Sequence, residues 1–336
     1  MSATLSRVSR PSVRKLVHLG ALAIGLLALA YLFDRLGSAS IRRAVVETGA
    51  WFAVIAGLDL LSVGCDAAAF HCYVQPLAPI SYARVFAAQV SGLAINRLTP
   101  GNSLGEPIKV TMLMPQVPEA AAVSAVILFN MTTISVAVSS IMIGVPLTLL
   151  TLDLPSRVEL AVMIVTTVLV VFAIGLVVLA RRGALATLIH ALAGLRLISR
   201  ARAAQWERRI SGVDANVRQF GGATTRRALI FVIAARILNW TGTIVILHVA
   251  DVPVTAPLVI GVLSVGLLVT WISNVIPLGL GLADGGNYML YGVLGSAPAA
   301  GLEFTMVNRV RTCLLASMGL AVMAIANVVD RPPRGR

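Results

Sequence analysis

Charged residues are scarce in this chain, which has 336 residues, only 12% of them charged and 5% aromatic. Soluble proteins carry about 25% charged residues and about 45–50% apolar ones. Here the hydrophobic share is 58%. This composition excludes an ordinary water-soluble globular protein and indicates an all-α integral membrane protein. A helical bundle of about six to eight spans, each of about 20 residues, accounts for 1–336 as a single membrane domain.

The chain also has few residues of the types that bind metals or act as nucleophiles. Its three cysteines, Cys65, Cys72 and Cys313, form no CxxC or Cys/His pattern, which excludes a disulfide framework and a zinc site. The histidines form no HExxH pair, and a P-loop, a dinucleotide fingerprint and a Ser/His/Asp arrangement are missing. We therefore expect no catalytic residue, no metal and no cofactor, and a function other than that of an enzyme.

Lysine is nearly absent, so the net charge of +13 comes from arginine: the 27 basic residues include only Lys15 and Lys109 as lysines. The basic residues cluster near the N-terminus, between residues 181 and 227, and after Asp330. Such clusters are typical of the cytoplasmic segments of membrane proteins. We therefore predict a multi-pass protein of a bacterial-type cytoplasmic (inner) membrane, with both termini on the cytoplasmic side.

The basic linker 181–227 has an amphipathic pattern. Leu185, Leu188, Leu192 and Leu195 recur at helical spacing with arginines around them. A helix of this kind suits the surface of an anionic leaflet. Binding of nucleic acid is disfavoured, because the linker is tethered to spans at both ends and contains no recognition motif.

Long apolar runs divide the chain into two halves, 16–180 and 228–327, on either side of this linker. Two further segments, 80–113 and 257–300, are hydrophobic but interrupted by Pro and Gly. If both termini and the linker are cytoplasmic, each interrupted segment must return to the side it entered from. We therefore predict two re-entrant or broken-helix hairpins, one opening to each face; two short crossings in each segment would give the same parity. The uninterrupted runs are 16–33, 51–73, 120–150, 158–180, 228–250 and 304–327.

The two interrupted segments resemble each other, because each has Asn, then Pro, then glycines, then an acid. Interrupted segments at corresponding positions of two halves are typical of inverted-repeat transporters, whose binding site lies between the repeats. The alternative is a chance recurrence of short Pro/Gly motifs. The residues are Asn96, Pro100, Gly101, Gly105 and Glu106 in the first segment and Asn274, Pro277, Gly279, Gly281 and Asp284 in the second.

Charged residues inside the apolar segments are the candidates for a site, since each costs about 2.5–3.5 kcal/mol at a helix centre on insertion scales. Asp59, Asp66 and Arg236 form either interior ion pairs or an intramembrane charge network with a direct role. The hairpin acids Glu106 and Asp284 are expected to line a cavity, because unwound backbone at membrane depth is tolerated there. The candidates for contact with an anionic headgroup are Arg97, Lys109, Asn308 and Arg309, and Arg309 is alternatively a brace for Asp284.

The two motifs resemble those of a known family. The stretch 96–109, with Pro100-Gly101 and Gly105-Glu106-Pro107, is similar to the "PG…GEP(V/I)(R/K)" signature of the lysylphosphatidylglycerol synthase transmembrane family, also called flippase-like. The stretch 277–284 and the later Asn308-Arg309 are similar to that family's "P…GGLG…E" hairpin and its following Arg. The resemblance covers essentially the whole chain.

The sequence departs from the family pattern in three respects. Asp284 stands where the family usually has Glu, and a Leu replaces one of the paired glycines. The run 120–150 lacks the charged residues that many members have there. We also expect the aminoacyltransferase domain of the founding enzymes to be absent, so that the chain is a stand-alone membrane domain.

The resemblance implies lipid translocation without lipid modification. Our leading hypothesis is a flippase for an anionic-headgroup membrane lipid or lipid-linked glycan, and the substrate classes left open are phospholipid, hopanoid-type and polyprenyl-linked lipids. The alternatives are an accessory membrane subunit, anchored to a partner enzyme through its linker, and an interfacial lipid transferase.

Overall fold

The computed structural model describes residues 11–102, 104–152, 155–181, 222–273 and 281–329. In these ranges the protein is entirely helical, as the composition predicts, and one 3₁₀ turn, Pro100–Asn102, interrupts it. The predicted amphipathic linker lies almost wholly outside the described residues, as do Asn274, Pro277 and Gly279. The helices are α1 Pro11–Leu36, α2 Ser38–Thr48, α3 Trp51–Val74, α4 Tyr82–Leu98, α5 Gly105–Leu113, α6 Glu119–Thr151, α7 Ser156–Arg181, α8 Gly222–Val249, α9 Ala256–Ser273, α10 Leu282–Val293 and α11 Pro298–Val329.

Six of these helices are long and apolar enough to cross a membrane: α3, α6, α7, α8, α9 and α11. Their outward faces carry large apolar side chains, such as Val168, Val171 and Phe172 on α7, which suits contact with lipid rather than water. Five of the six correspond to predicted uninterrupted runs. The predicted first span, 16–33, lies inside α1. The apolar stretch of α1, Val17–Tyr31, is shorter than the six helices that can cross a membrane. The sixth spanning helix is α9, which lies in the second interrupted segment. Helix α2 was not predicted from the sequence.

The first interrupted segment forms a broken-helix hairpin. The residue before Pro100, Thr99, is extended, as a residue before proline tends to be, and Gly101 and Asn102 have positive φ angles of 71° and 49°. The chain then enters α5, whose Gly105 packs against the backbone of Gly92 on α4. With nine residues, α5 is about 14 Å long, about half of the hydrocarbon thickness, so it cannot cross a membrane by itself.

Substitution of Gly105 by alanine is expected to open this hairpin. A Cβ atom there would lie 2.6 Å from Asn96 Oδ1 and would overlap the carbonyl oxygen of Gly92, and overpacking of this kind costs about 1–3 kcal/mol. Chemical denaturation in detergent would measure the loss. The matched control is Gly57→Ala on α3, where a Cβ atom meets nothing within 4 Å. Equal losses for the two variants would contradict the close packing of α4 and α5.

The second interrupted segment repeats this pattern of a longer helix followed by a shorter one. Helix α9 has 18 residues and α10 has 12, and the two pack against each other. Gly281, with a φ of 80°, precedes α10, and the chain between Ser273 and Gly281 is outside the described residues. Each half therefore contains a long helix, a broken hairpin and another long helix: α3, α4–α5 and α6, then α8, α9–α10 and α11.

The two halves pack against each other in a reciprocal way. The hairpin helix α4 packs on α11, the last helix of the other half, and the hairpin helix α9 packs on α6, while α3 packs on α8. Two apolar cores follow this pairing: one joins the first hairpin to α11, the other joins the second hairpin to α6. Such reciprocal pairing is what an approximate two-fold relation between two repeats produces.

Candidate functional site

The most buried ion pair joins α3 to α11. Asp59 is 4% exposed and Arg311 is 7% exposed. The guanidinium donates from Nε to Asp59 Oδ2 at 2.8 Å and from Nη2 to the other carboxylate oxygen, which is the bidentate geometry that suits arginine. Nη1 donates to Asn308 Oδ1 at 2.9 Å. Asn308, predicted as a headgroup contact, therefore supports this ion pair.

A second ion pair lies two helical turns along α3. Arg236 on α8 donates from Nη2 to Asp66 Oδ2 at 2.8 Å, while Asp66 Oδ1 and Arg236 Nε are buried without a hydrogen-bond partner among the described residues. Nearby, Asn239 donates to Ser62 Oγ at 2.9 Å, and Ser62 donates to the carbonyl of Ala235 at 3.0 Å. Of the predicted intramembrane network, the structure brings Asp66 and Arg236 together and pairs Asp59 with Arg311 instead.

The acid of the first hairpin holds the hairpin closed. Asn96, at the end of α4, accepts from the backbone N–H of Gly105 at 2.6 Å and donates to Glu106 Oε1 at 2.9 Å. Lys109, 3% exposed, donates to the same carboxylate oxygen at 3.0 Å and lies 5.3 Å from the centre of the Phe129 ring. Glu106 Oε2 is buried, and none of the described residues forms a hydrogen bond with it. Lys109 is thus already neutralised by its own helix.

The acid of the second hairpin has an equivalent place in the first turn of α10. Asp284 accepts from the backbone N–H of Gly281 at 3.0 Å and from Arg309 Nη2 at 2.6 Å. A carboxylate at a helix N-terminus also interacts favourably with the helix dipole. Of the two roles predicted for Arg309, the structure contains the brace for Asp284. Arg309 Nε is buried and has no hydrogen-bond partner in the part of the chain that the structure describes.

Arg97, at the end of α4, differs from the other interior cations. Its side chain is partly exposed, and it makes no hydrogen bond or ion pair with any other residue in the part of the chain that the structure describes. Arg97 interacts electrostatically with the charges of four residues, Asp59, Asp66, Arg236 and Arg311. Arg97 therefore lies within electrostatic range of the two interior ion pairs without belonging to either.

A cavity of about 1150 Å³ lies beside the Asp66–Arg236 ion pair, between α6, α8 and α9. Its walls are mainly apolar, and Arg236 lines it near the middle and Arg226 near the start of α8. On the α6 side, hydroxyl groups recur on one face at Thr132, Ser135 and Ser139. The lining runs from Gly222 to Trp240 on α8, a rise of about 27 Å that approaches the about 30 Å of a hydrocarbon core.

The described residues contain no group of three His, Cys, Asp or Glu side chains placed to hold a metal ion. Charged side chains of the described interior instead form ion pairs that link α3 to α8, α3 to α11 and α10 to α11, while the ion pair of the first hairpin lies within α5. This arrangement suits recognition of a charged group at the border of an apolar space.

Comparison with protein families gives one match, to the Lysylphosphatidylglycerol synthase TM region, over residues 18–318. The chain belongs to this family. The comparisons with curated proteins and with solved structures gave no match. Membership of a membrane-domain family and the six long apolar helices together identify a multi-pass membrane protein. The inner membrane and the cytoplasmic termini stay predictions.

Family membership confirms the resemblance on which the motif analysis depended. The predicted lack of charges in the run 120–150 also has a structural counterpart. Among the described residues, α6 contributes Phe129 beneath Lys109 and Thr132, which bonds to Tyr73 at 2.7 Å, but no member of the ion pairs above. In this family member the charges therefore connect helices other than α6.

The sequence missed Arg311 as a site residue. It stands near the start of the last apolar run, and a cation inside an apolar run is itself a signal. Its partner Asp59, however, is 252 positions away in sequence, so no local pattern could connect them. The same is true of Arg226 and the hydroxyl row on α6, which become neighbours only through the packing of α6 and α8.

Proposed function

We propose that the protein is a flippase that moves an anionic-headgroup membrane lipid or lipid-linked glycan across the membrane. The observation that carries this proposal is the position of the interior charges beside a long, mainly apolar cavity. A lipid needs both surfaces at once: an apolar wall for its chains and a polar place for its headgroup. The family's association with lipid in its name supports this choice.

The reciprocal packing of the halves supports a transport mechanism. The hairpin of each half packs on the long helix that follows the hairpin of the other half, so a movement of one half against the other rearranges both hairpins together. In transporters built from inverted repeats, such a movement exposes a central site to the two faces in turn. We propose that the headgroup crosses between the hairpins while the acyl chains stay in the bilayer.

Reconstitution in liposomes with a headgroup-labelled phospholipid tests this function. Wild-type protein is expected to carry label across the bilayer faster than protein-free liposomes do. Glu106→Gln and Asp284→Asn remove the acid of each hairpin, and each is expected to slow transport about tenfold, which corresponds to about 1.4 kcal/mol in the barrier. Glu119→Gln, an exposed acid at the start of α6, is the matched control and is expected to transport as wild type does.

Two outcomes would count against this function. Transport by both hairpin variants at the wild-type rate would remove these acids from the mechanism. Cellular function that survives the hairpin substitutions but is lost on deletion of 184–220 would favour an accessory membrane subunit that anchors a partner enzyme through the linker.

A further inference from the structure

Among the four ion pairs of the described residues, the one between Asp66 and Arg236 borders the cavity. Its base, Arg236, forms part of the cavity wall, whereas Lys109, Arg309 and Arg311 do not. The side chain of Arg236 is 28% exposed and that of Asp66 is 14% exposed. A ligand that enters the cavity can therefore contact the base of this pair, while the acid is not part of the wall.

The Asp66–Arg236 pair is also held by fewer bonds than the Asp59–Arg311 pair. A hydrogen bond of 2.8 Å from Nη2 to Oδ2 joins Arg236 to Asp66. Asp66 Oδ1 and Arg236 Nε are buried, and neither has a hydrogen-bond partner within the described ranges. Asp59, by contrast, accepts from Arg311 with both carboxylate oxygens. Because bidentate contacts are the stronger ones, the pair at the cavity is the easier of the two to separate.

An anion that binds Arg236 from the cavity competes with Asp66 for the guanidinium. If Asp66 stayed ionised, it would become a buried carboxylate without its partner, which is strongly unfavourable. A proton on Asp66 removes that charge, and the resulting O–H can donate a hydrogen bond. The sum of charges is then zero in both states: Asp66 and Arg236 cancel before binding, and the anion and Arg236 cancel after it.

The other charges near Asp66 do not replace Arg236 as its partner. The titratable and charged groups that act on Asp66 or lie beside it are Arg236 on α8, Arg97 on α4, Lys109 on α5 and the thiol of Cys65 on α3. Lys109 is bonded to Glu106, and Arg97 forms no hydrogen bond with Asp66. The one charged residue of α6, which also packs on α3, is the exposed acid at its start.

We propose that the binding of an anionic group to Arg236 in the cavity is coupled to the uptake of one proton by Asp66, so that the protein carries one proton with each anion. The transport part of this inference rests on the proposed function, to which it adds proton co-transport. The proton comes from water on the side where the anion enters. It leaves on the other side, when the anion departs and Arg236 pairs with Asp66 again. Because anion and proton cross together, no net charge moves.

Calorimetric titration of the purified protein in a neutral detergent tests the coupling. The probe is decanesulfonate, a single-chain amphiphile whose anionic group takes up no proton near neutral pH. Titrations in two buffers that differ in heat of ionisation give the number of protons taken up per molecule bound. Wild-type protein is expected to take up about one proton. Its affinity is expected to fall about tenfold for each unit by which pH rises, since low pH favours the state that holds more protons.

Three variants assign the two roles. Asp66→Asn is expected to bind the probe without proton uptake and with an affinity that no longer depends on pH, whereas Asp66→Glu is expected to keep both properties. Arg236→Gln is expected to bind about 10- to 100-fold more weakly, because it loses charge-assisted hydrogen bonds. The matched control is Arg226→Gln, which changes another arginine of the cavity wall and is expected to keep an uptake of about one proton per molecule bound.

Transport in liposomes gives a second test, with a headgroup-labelled lipid that has one negative charge. A tenfold proton gradient is expected to enrich the label about tenfold in the leaflet that faces the alkaline side, because one proton accompanies each lipid. A membrane potential without a proton gradient is expected to leave the distribution unchanged, because no net charge moves.

Results with wild-type protein alone can overturn the inference, so it does not depend on the folding of any variant. These results are a lack of decanesulfonate binding, binding without proton uptake, and a label distribution that follows the membrane potential or ignores the proton gradient. Proton uptake that persists in folded Asp66→Asn, or full affinity in Arg236→Gln, would also contradict it. Failure of the flippase proposal is a separate result, because it would appear as an absence of transport in liposomes while the titration in detergent still shows proton uptake.

Discussion

Replacement of Arg311 by glutamine is expected to lower the free energy of unfolding by about 3–5 kcal/mol, because it leaves the carboxylate of Asp59 buried without its partner. Both side chains are almost fully buried, and the bidentate contact joins α3 to α11. Unfolding by denaturant in detergent micelles would measure the loss. Arg309→Gln is the matched comparison: its partner Asp284 has a side chain that is 33% exposed, so a smaller loss is expected.

The double variant Asp59→Asn with Arg311→Gln identifies the origin of that loss. If the cost arises from an uncompensated charge, removal of both charges recovers much of the stability, since neutral replacement of a buried pair is often nearly neutral. A double variant as unstable as the sum of the two single variants would contradict this account and would indicate that packing around Arg311 determines the stability.

A disulfide between α6 and α9 is expected to stop transport. Thr148 Oγ1 and Ser264 Oγ are buried and 3.1 Å apart, which is close enough for cysteines at these positions to approach the geometry of a disulfide. The bond would join α6 of the first half to the hairpin of the second. After oxidation, label transport in liposomes is expected to fall to the rate of protein-free liposomes, and a reductant is expected to restore it.

The crosslinking experiment needs a background without Cys65, Cys72 and Cys313, which are free thiols. The single variants Thr148→Cys and Ser264→Cys are the controls, and oxidation is expected to leave their transport unchanged. Thiol labelling would establish how much of the double variant is crosslinked. Full transport by a fully crosslinked protein would show that α6 and α9 do not separate during the cycle, and would exclude a movement of one half against the other at this contact.

Local features were predictable because local chemistry controls them. The break between α4 and α5 follows from Pro100 and Gly101: proline makes Thr99 extended, and glycine accepts the positive φ that the turn requires. The acid of each interrupted segment lies in the first turn of a short helix. The need for lipid around the bundle was likewise readable from the order of apolar and polar residues.

Ion-pair partners were not predictable in the same way. Asp59 and Asp66 lie on one face of α3, yet they bind arginines on two different helices, and Asp66 and Arg236 are 170 positions apart in sequence. Which cation meets which acid depends on how α8 and α11 pack around α3. That packing depends in turn on close contacts of small residues, such as Gly319 of α11 against Val90 and Ala94 of α4.

The sequence by itself therefore determined the membrane environment, the all-helical class, the two broken segments and the identity of most interior charged residues, since each depends on hydropathy or backbone preference over a few neighbouring positions. Only the tertiary structure decided that Lys109 and Arg309 already have acids as partners, and that Arg97 does not have one among the described residues. The physical reason is that neutralisation is a property of side chains brought together by helix packing, and distant parts of the chain supply those side chains.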